Sequence, residues 1–233
     1  MRRRHGSIAI VWLAACAVLA ADFWDEKEFT DWSDRDVQRM MTNSPWAKRI
    51  TVVFPRAPQT ALNDRNPVAG GIGGVGGGGR GGRGFGGGDG FGPTRQSRLV
   101  VQWRSALPMR QAIVRGRIGE GRALDSAGRQ LLAQRPTGYF IVVAGLPRPF
   151  ARLDPAALTA GARLERPGKR PILPVEAAAE PEGNGAVILY LFPRGDAITL
   201  ADEEVEFVTE IAEASIERTF ELEEMVFNGR LEL

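Results

Sequence analysis

The chain is nearly devoid of thiol and imidazole. Among its 233 residues Cys16 is the single cysteine and His5 the single histidine. Both fall in the first twenty residues, a stretch with the marks of a removable signal. A chain with one cysteine forms no internal disulfide, so its stability has to come from packing. The remaining length of about 210 residues is enough for a core without staples. Zinc, haem and iron–sulfur sites built from histidine or cysteine are excluded after that stretch. Cysteine nucleophiles and serine–histidine–acid triads go with them. No cofactor is expected.

Long apolar runs are missing too. The longest, residues 8–21, has 14 residues, against the ~20 a membrane-spanning helix needs. It follows Arg2, Arg3 and Arg4 and ends before Asp22, the pattern of a secretory signal. Small residues place cleavage between Ala20 and Ala21. The alternative is Leu13-Ala14-Ala15-Cys16, which resembles a lipobox and would leave a lipidated Cys16 as anchor; the run stays apolar past the cysteine, which favours soluble release. The expectation is an exported protein, periplasmic or secreted, or else a membrane-anchored lipoprotein. Residues 1–20 are the signal, and residues 21–233 a single domain.

The formal charge of +2 belongs to that signal. Without residues 1–20 there are 27 bases (30 − 3) and 28 acids, which makes no case for nucleic acid or an anionic membrane. Charge is nevertheless segregated. Residues 79–136 hold 11 arginines and three acids, a net of +8, while residues 199–233 hold 11 acids and two arginines, a net of −9. The simpler reading is that the two segments compensate within one fold; the sharper is a basic surface for an anionic partner.

The expected fold class is α+β: mainly antiparallel β-sheet with two or three short helices and a long disordered glycine-rich loop at about residues 56–97. Ser33 with Asp36 forms a capping box before Val37, Met40 and Met41, and Asn43 and Pro45 close that helix near residue 42. A second helix follows Ser105, with Met109, Ala112, Ile113 and Gly116 on one face, and a third spans about residues 125–134. Residues 50–54, 99–103, 139–143 and 186–192 read as strands, the last two apolar throughout. Residues 205–211 and 216–222 alternate, a glutamate-rich helix being the competing reading of residues 203–217. Asn228-Gly229 marks a hairpin. Residues 70–92 contain 16 glycines and too little side chain to bury. The 33 residues before this loop are too few to fold alone, so they must dock on the structure formed beyond it.

Two blocks carry a resemblance. Trp32-Ser33, Val37 and Ser44-Pro45-Trp46-Ala47, with the W-x-S-A-x-P pattern at Trp103, Ser105, Ala106 and Pro108, are similar to a family of uncharacterised exported bacterial proteins. The glycine-rich insertion and the ending Met225-Val226-Phe227-Asn228-Gly229-Arg230-Leu231-Glu232-Leu233 extend the likeness over most of the exported chain. The resemblance implies export and this order of blocks; it implies no activity.

Motifs that would carry chemistry are weak. Gly74, Gly76 and Gly79 fit G-x-G-x-x-G inside a run that matches in several registers, without the strand and helix a dinucleotide site needs. Arg80 and Arg83 with their glycines form a minimal RGG pattern, more simply a supple loop. Trp24, Trp32, Trp46 and Trp103 are the candidate binding residues, since indoles stack on sugars and anchor partners; packing into the core is the competing reading. Asp25, Glu26, Glu28, Glu203, Glu204 and Glu206 are carboxylates without a marked pair. The expected function is therefore a non-enzymatic envelope or secreted protein that binds or assembles with a macromolecule, protein or polysaccharide. The alternative is a carboxylate-dependent hydrolase of extracellular polymer.

Overall fold

A computed structural model describes residues 22–54 and 95–233. The signal with Cys16, Ala20 and Ala21, and the glycine tract with Gly74, Gly76, Gly79, Arg80 and Arg83, lie outside the described residues. The chain is an α+β protein. One antiparallel sheet contains β1 (Ala47–Phe54), β2 (Arg95–Trp103), β3 (Gly138–Pro147), β5 (Glu176–Glu182) and β6 (Gly185–Pro193), in the order β1-β2-β3-β6-β5. A second contains β4 (Ala162–Glu165), β7 (Glu204–Ile211) and β8 (Ala214–Glu221), in the order β4-β7-β8. Strands β9 (Val226–Phe227) and β10 (Arg230–Leu231) form the hairpin that Asn228-Gly229 announces, both turn residues having positive φ. β2 already begins at Arg95, so residues 95–97 of the expected loop are strand, and residues 56–94 of it lie outside the described residues.

Five α-helical segments are present among the described residues: α1 (Phe23–Glu26), α2 (Asp34–Thr42), α3 (Leu107–Ile118), α4 (Ser126–Ala133) and α5 (Pro155–Ala160). α1 and α5, of four and six residues, are too short to leave an apolar period in the sequence. The capping box of α2 forms: Ser33 Oγ accepts the Asp36 N–H at 3.2 Å, and the Asp36 carboxylate accepts the Ser33 N–H at 3.1 Å. Asn43 has φ −157° and ψ 74° and is not left-handed. Helix α2 ends instead where Ser44 Oγ donates to the Met40 carbonyl at 2.7 Å and Pro45 forbids continuation.

Register explains the core. Val143 faces Ile188, Ile141 faces Tyr190 and Tyr139 faces Phe192, so one face of the large sheet presents six bulky side chains, all buried. The small sheet packs on that face, with Tyr190 and Phe207 5.3 Å apart and Trp103 and Phe220 5.5 Å apart. The opposite face buries Val142 and Val187, while Phe140, Leu189 and Leu191 are half-buried. Residues 22–54 join the same core. Phe23, Trp24, Trp32 and Trp46 make edge-on contacts 4.9–6.0 Å apart, and Trp46 meets Phe227 at 6.2 Å.

The outer face of the small sheet is acidic. Glu165 lies directly opposite Glu206, and Glu204 opposite Glu221. Burial, then the charges of Glu217, Glu165 and Glu204, raise the Glu206 carboxyl above its ordinary 4.5. A carboxyl raised on folding holds its proton longer in the native state, so its contribution to stability falls as pH climbs through that window. Glu206→Gln is expected to stabilise the protein at neutral pH by about 0.2–1 kcal/mol. The gain should vanish below pH 4.5, where the carboxyl is protonated folded or unfolded. Urea denaturation at both pH values checks it; an equal effect at both would exclude charge crowding.

Candidate functional site

The four tryptophans are core residues. Trp32, Trp46 and Trp103 have no exposed surface and Trp24 retains 6%. A stacking platform needs a ring face in solvent, so their expected binding role gives way to packing. Trp46 Nε1 donates to the Glu232 carbonyl at 2.8 Å and Trp32 Nε1 to the Lys27 carbonyl at 3.3 Å. Sequence cannot separate a stacking indole from a buried one; both are isolated large aromatics in a polar stretch.

A site emerges instead where α3 begins. Ser105 does not cap this helix as its position suggests: its Oγ accepts the Phe140 N–H at 3.1 Å, and the N-cap position is Ala106, without a side-chain cap. The Leu107 N–H is met by the Glu232 carboxylate at 3.3 Å, 125 residues away in sequence. On the buried face Met109 and Ala112 hold as expected, whereas Ile113 is half-buried and Gly116 exposed. Arg115 is buried instead, its Nε donating to the Trp32 carbonyl at 2.8 Å.

Around this helix start lies a pocket of about 430 Å³, lined by Arg110, Arg135, Arg194 and Arg230 and by one acidic side chain, Glu232. Arg110 is held from the α4 end, donating through Nη2 to the carbonyls of Leu131 and Gln134. Burial lowers its guanidinium from the ordinary value, and the Glu232 charge opposes that. Arg194 donates to a main-chain oxygen of Leu233 and lies 4.5 Å over the Tyr139 ring. Arg135 and Arg230 are exposed. Nine ion pairs form among the described residues, and none involves these four arginines. Among the described residues none joins an arginine of residues 98–136 to an acidic side chain of residues 199–233 either. The two charged segments nevertheless meet, as the simpler reading expects: Glu232 of the acidic segment lies in this pocket beside Arg110 and Arg135 of the basic one, and its charge acts on Arg110.

A second pocket, of about 460 Å³, lies between α1, α2 and the end of β8, with Asp22, Asp25, Arg39, Lys48, Glu223 and Glu224 in its lining. Arg39 is committed to Asp22 and Lys48 to Glu224, each at 2.9 Å. Burial and then Asp22 raise the Asp25 carboxyl. Of the other candidate carboxylates, Glu26 and Glu28 are exposed on the N-terminal block, and Glu203, Glu204 and Glu206 lie at the start of β7. Among the described residues no cluster of histidine, cysteine, aspartate or glutamate could hold a metal ion, and no helix is long and apolar enough to cross a membrane. No family profile, curated protein or solved structure matches the chain.

Proposed function

We propose that this is an exported, non-enzymatic protein that binds an anionic macromolecule, and that the pocket at the head of α3 is where it does so. The observation that carries the reading is that four arginines line one concavity and none of them pairs with an acidic side chain among the described residues. Guanidinium groups that fold back onto carboxylates are neutralised; these are held ready by main-chain oxygens, an aromatic face and solvent. Planar forks of this kind pair with oxyanions through two parallel hydrogen bonds. An acidic polysaccharide or an acidic protein segment would both fit, and export favours the polysaccharide.

Capture on dextran sulfate, with neutral dextran as control, tests this. Wild-type protein is expected to be retained by the sulfated polymer alone. Arg135→Glu with Arg230→Glu should weaken retention at least about tenfold, since each reversal replaces an attraction by a repulsion. Both side chains are exposed, so the melting temperature should hold. Equal retention of variant and wild type would remove the pocket from the account.

A further inference from the structure

The charges in this pocket are unbalanced in a way that specifies its ligand. Four arginines and one acidic side chain line it, a side-chain excess of 4 − 1 = 3 positive charges, with Arg194 already bound to a main-chain oxygen of Leu233. Glu232 already does what a single carboxylate can do there: it accepts the Leu107 N–H at the start of a twelve-residue helix, where the helix dipole favours negative charge. Its position marks where an oxygen of an anionic ligand is welcome. The remaining donors are arranged in two tiers. Arg110 and Arg194 are anchored on main-chain oxygens and so pre-oriented, whereas Arg135 and Arg230 are exposed and make no side-chain hydrogen bond among the described residues.

We infer that the pocket takes a phosphate ester group carried on the bound partner, and that Glu232 sets its affinity as a built-in competing anion. The inference rests on the proposed binding role of the same pocket. A phosphate monoester brings a charge of about −1.5 to −2 and three acceptor oxygens, which answers both the excess charge and the number of forks. A carboxylate brings one charge and two oxygens, and duplicates Glu232. The Glu232 side chain lowers the net potential of the site and occupies its helix-end donor, so an incoming phosphate meets repulsion from this one residue. Glu232→Gln keeps an acceptor for the Leu107 N–H and removes the charge.

Calorimetric titration of the full chain with inorganic phosphate, and with acetate at matched ionic strength, tests the proposal. Phosphate is expected to bind wild type at least about tenfold more tightly than acetate. Glu232→Gln should tighten phosphate by about two- to fivefold. Glu224→Gln, in the other pocket, should leave phosphate affinity unchanged. The proposal is overturned if Glu232→Gln binds phosphate no better than wild type, if acetate equals phosphate, or if Glu224→Gln has the same effect as Glu232→Gln. If these fail while dextran sulfate still needs Arg135 and Arg230, the phosphate assignment falls alone. If the arginine reversals also change nothing, the binding role falls with it.

Discussion

Replacing Asp202 with alanine is expected to cost about 1–3 kcal/mol of stability, because it removes one of the two carboxylates beside a buried guanidinium. The Arg166 side chain has no exposed surface, and neither has that of Asp202. Arg166 reaches Asp196, which is 62% exposed, and lies 3.9 Å from Asp202. Asp202 also takes the Lys169 ammonium at 2.5 Å and the Thr199 N–H at 2.8 Å. The cluster therefore clamps the turn after β4 to the connection between β6 and β7. Burial works to raise the Asp202 carboxyl, but hydrogen bonds from Lys169 and Thr199 and the charges of Lys169 and Arg166 outweigh it and hold it below its ordinary 3.8. A carboxyl depressed on folding stabilises the native state above that ordinary value and stops doing so as pH falls through its folded value. Guanidinium denaturation should show the full cost of Asp202→Ala at pH 7 and a shrinking cost in strong acid. A loss under about 1 kcal/mol at pH 7 would mean that water reaches Arg166 and that the clamp is ornamental.

The second large effect is expected at Trp46. Trp46→Ala should destabilise the protein by about 3–5 kcal/mol, the usual range for emptying a buried aromatic site. Trp46 meets Trp24 and Phe227 edge-on and donates to the Glu232 carbonyl. It joins the N-terminal block, of which β1 is the last part, to the terminal hairpin. Trp46→Phe keeps most of the apolar area and loses the hydrogen bond, so about 1–2 kcal/mol is expected. Equilibrium unfolding by fluorescence and circular dichroism measures both. Near-wild-type stability of Trp46→Ala would restore this indole as a candidate ligand contact.

Much of the fold is readable from the sequence because its signals are local. The Ser33–Asp36 box, the strand along residues 205–211 and the Asn228-Gly229 turn each depend on residues within a few positions, and each forms, although Val208 is buried where the alternation turns it outward. The turn between β7 and β8 is not readable. Ala212 and Glu213 both take positive φ, 47° and 66°, a conformation usually given to asparagine and glycine. Strand β5 escapes the sequence as well. Its Glu176–Glu182 stretch, glutamate, alanine and proline, has little strand preference and pairs because β6 offers a free edge.

The candidate site is legible only as a charge asymmetry. Arg110 and Arg230 lie in α3 and β10, Arg135 and Arg194 in the connections after α4 and β6; they follow no spacing, and Glu232 caps α3 from 125 residues away. Such a constellation exists only after folding. Trp24, Trp32, Trp46 and Trp103 draw attention for the opposite reason: they are conspicuous in the sequence, and the core takes these four.

The claim that this pocket is a receptor for negative charge is tested most directly by dextran sulfate affinity across a series of salt concentrations. Binding that uses the arginines should weaken steeply in the wild type as salt screens the contacts, and only shallowly once Arg135 and Arg230 are reversed. The same slope in both proteins, or an affinity indifferent to salt, would contradict it.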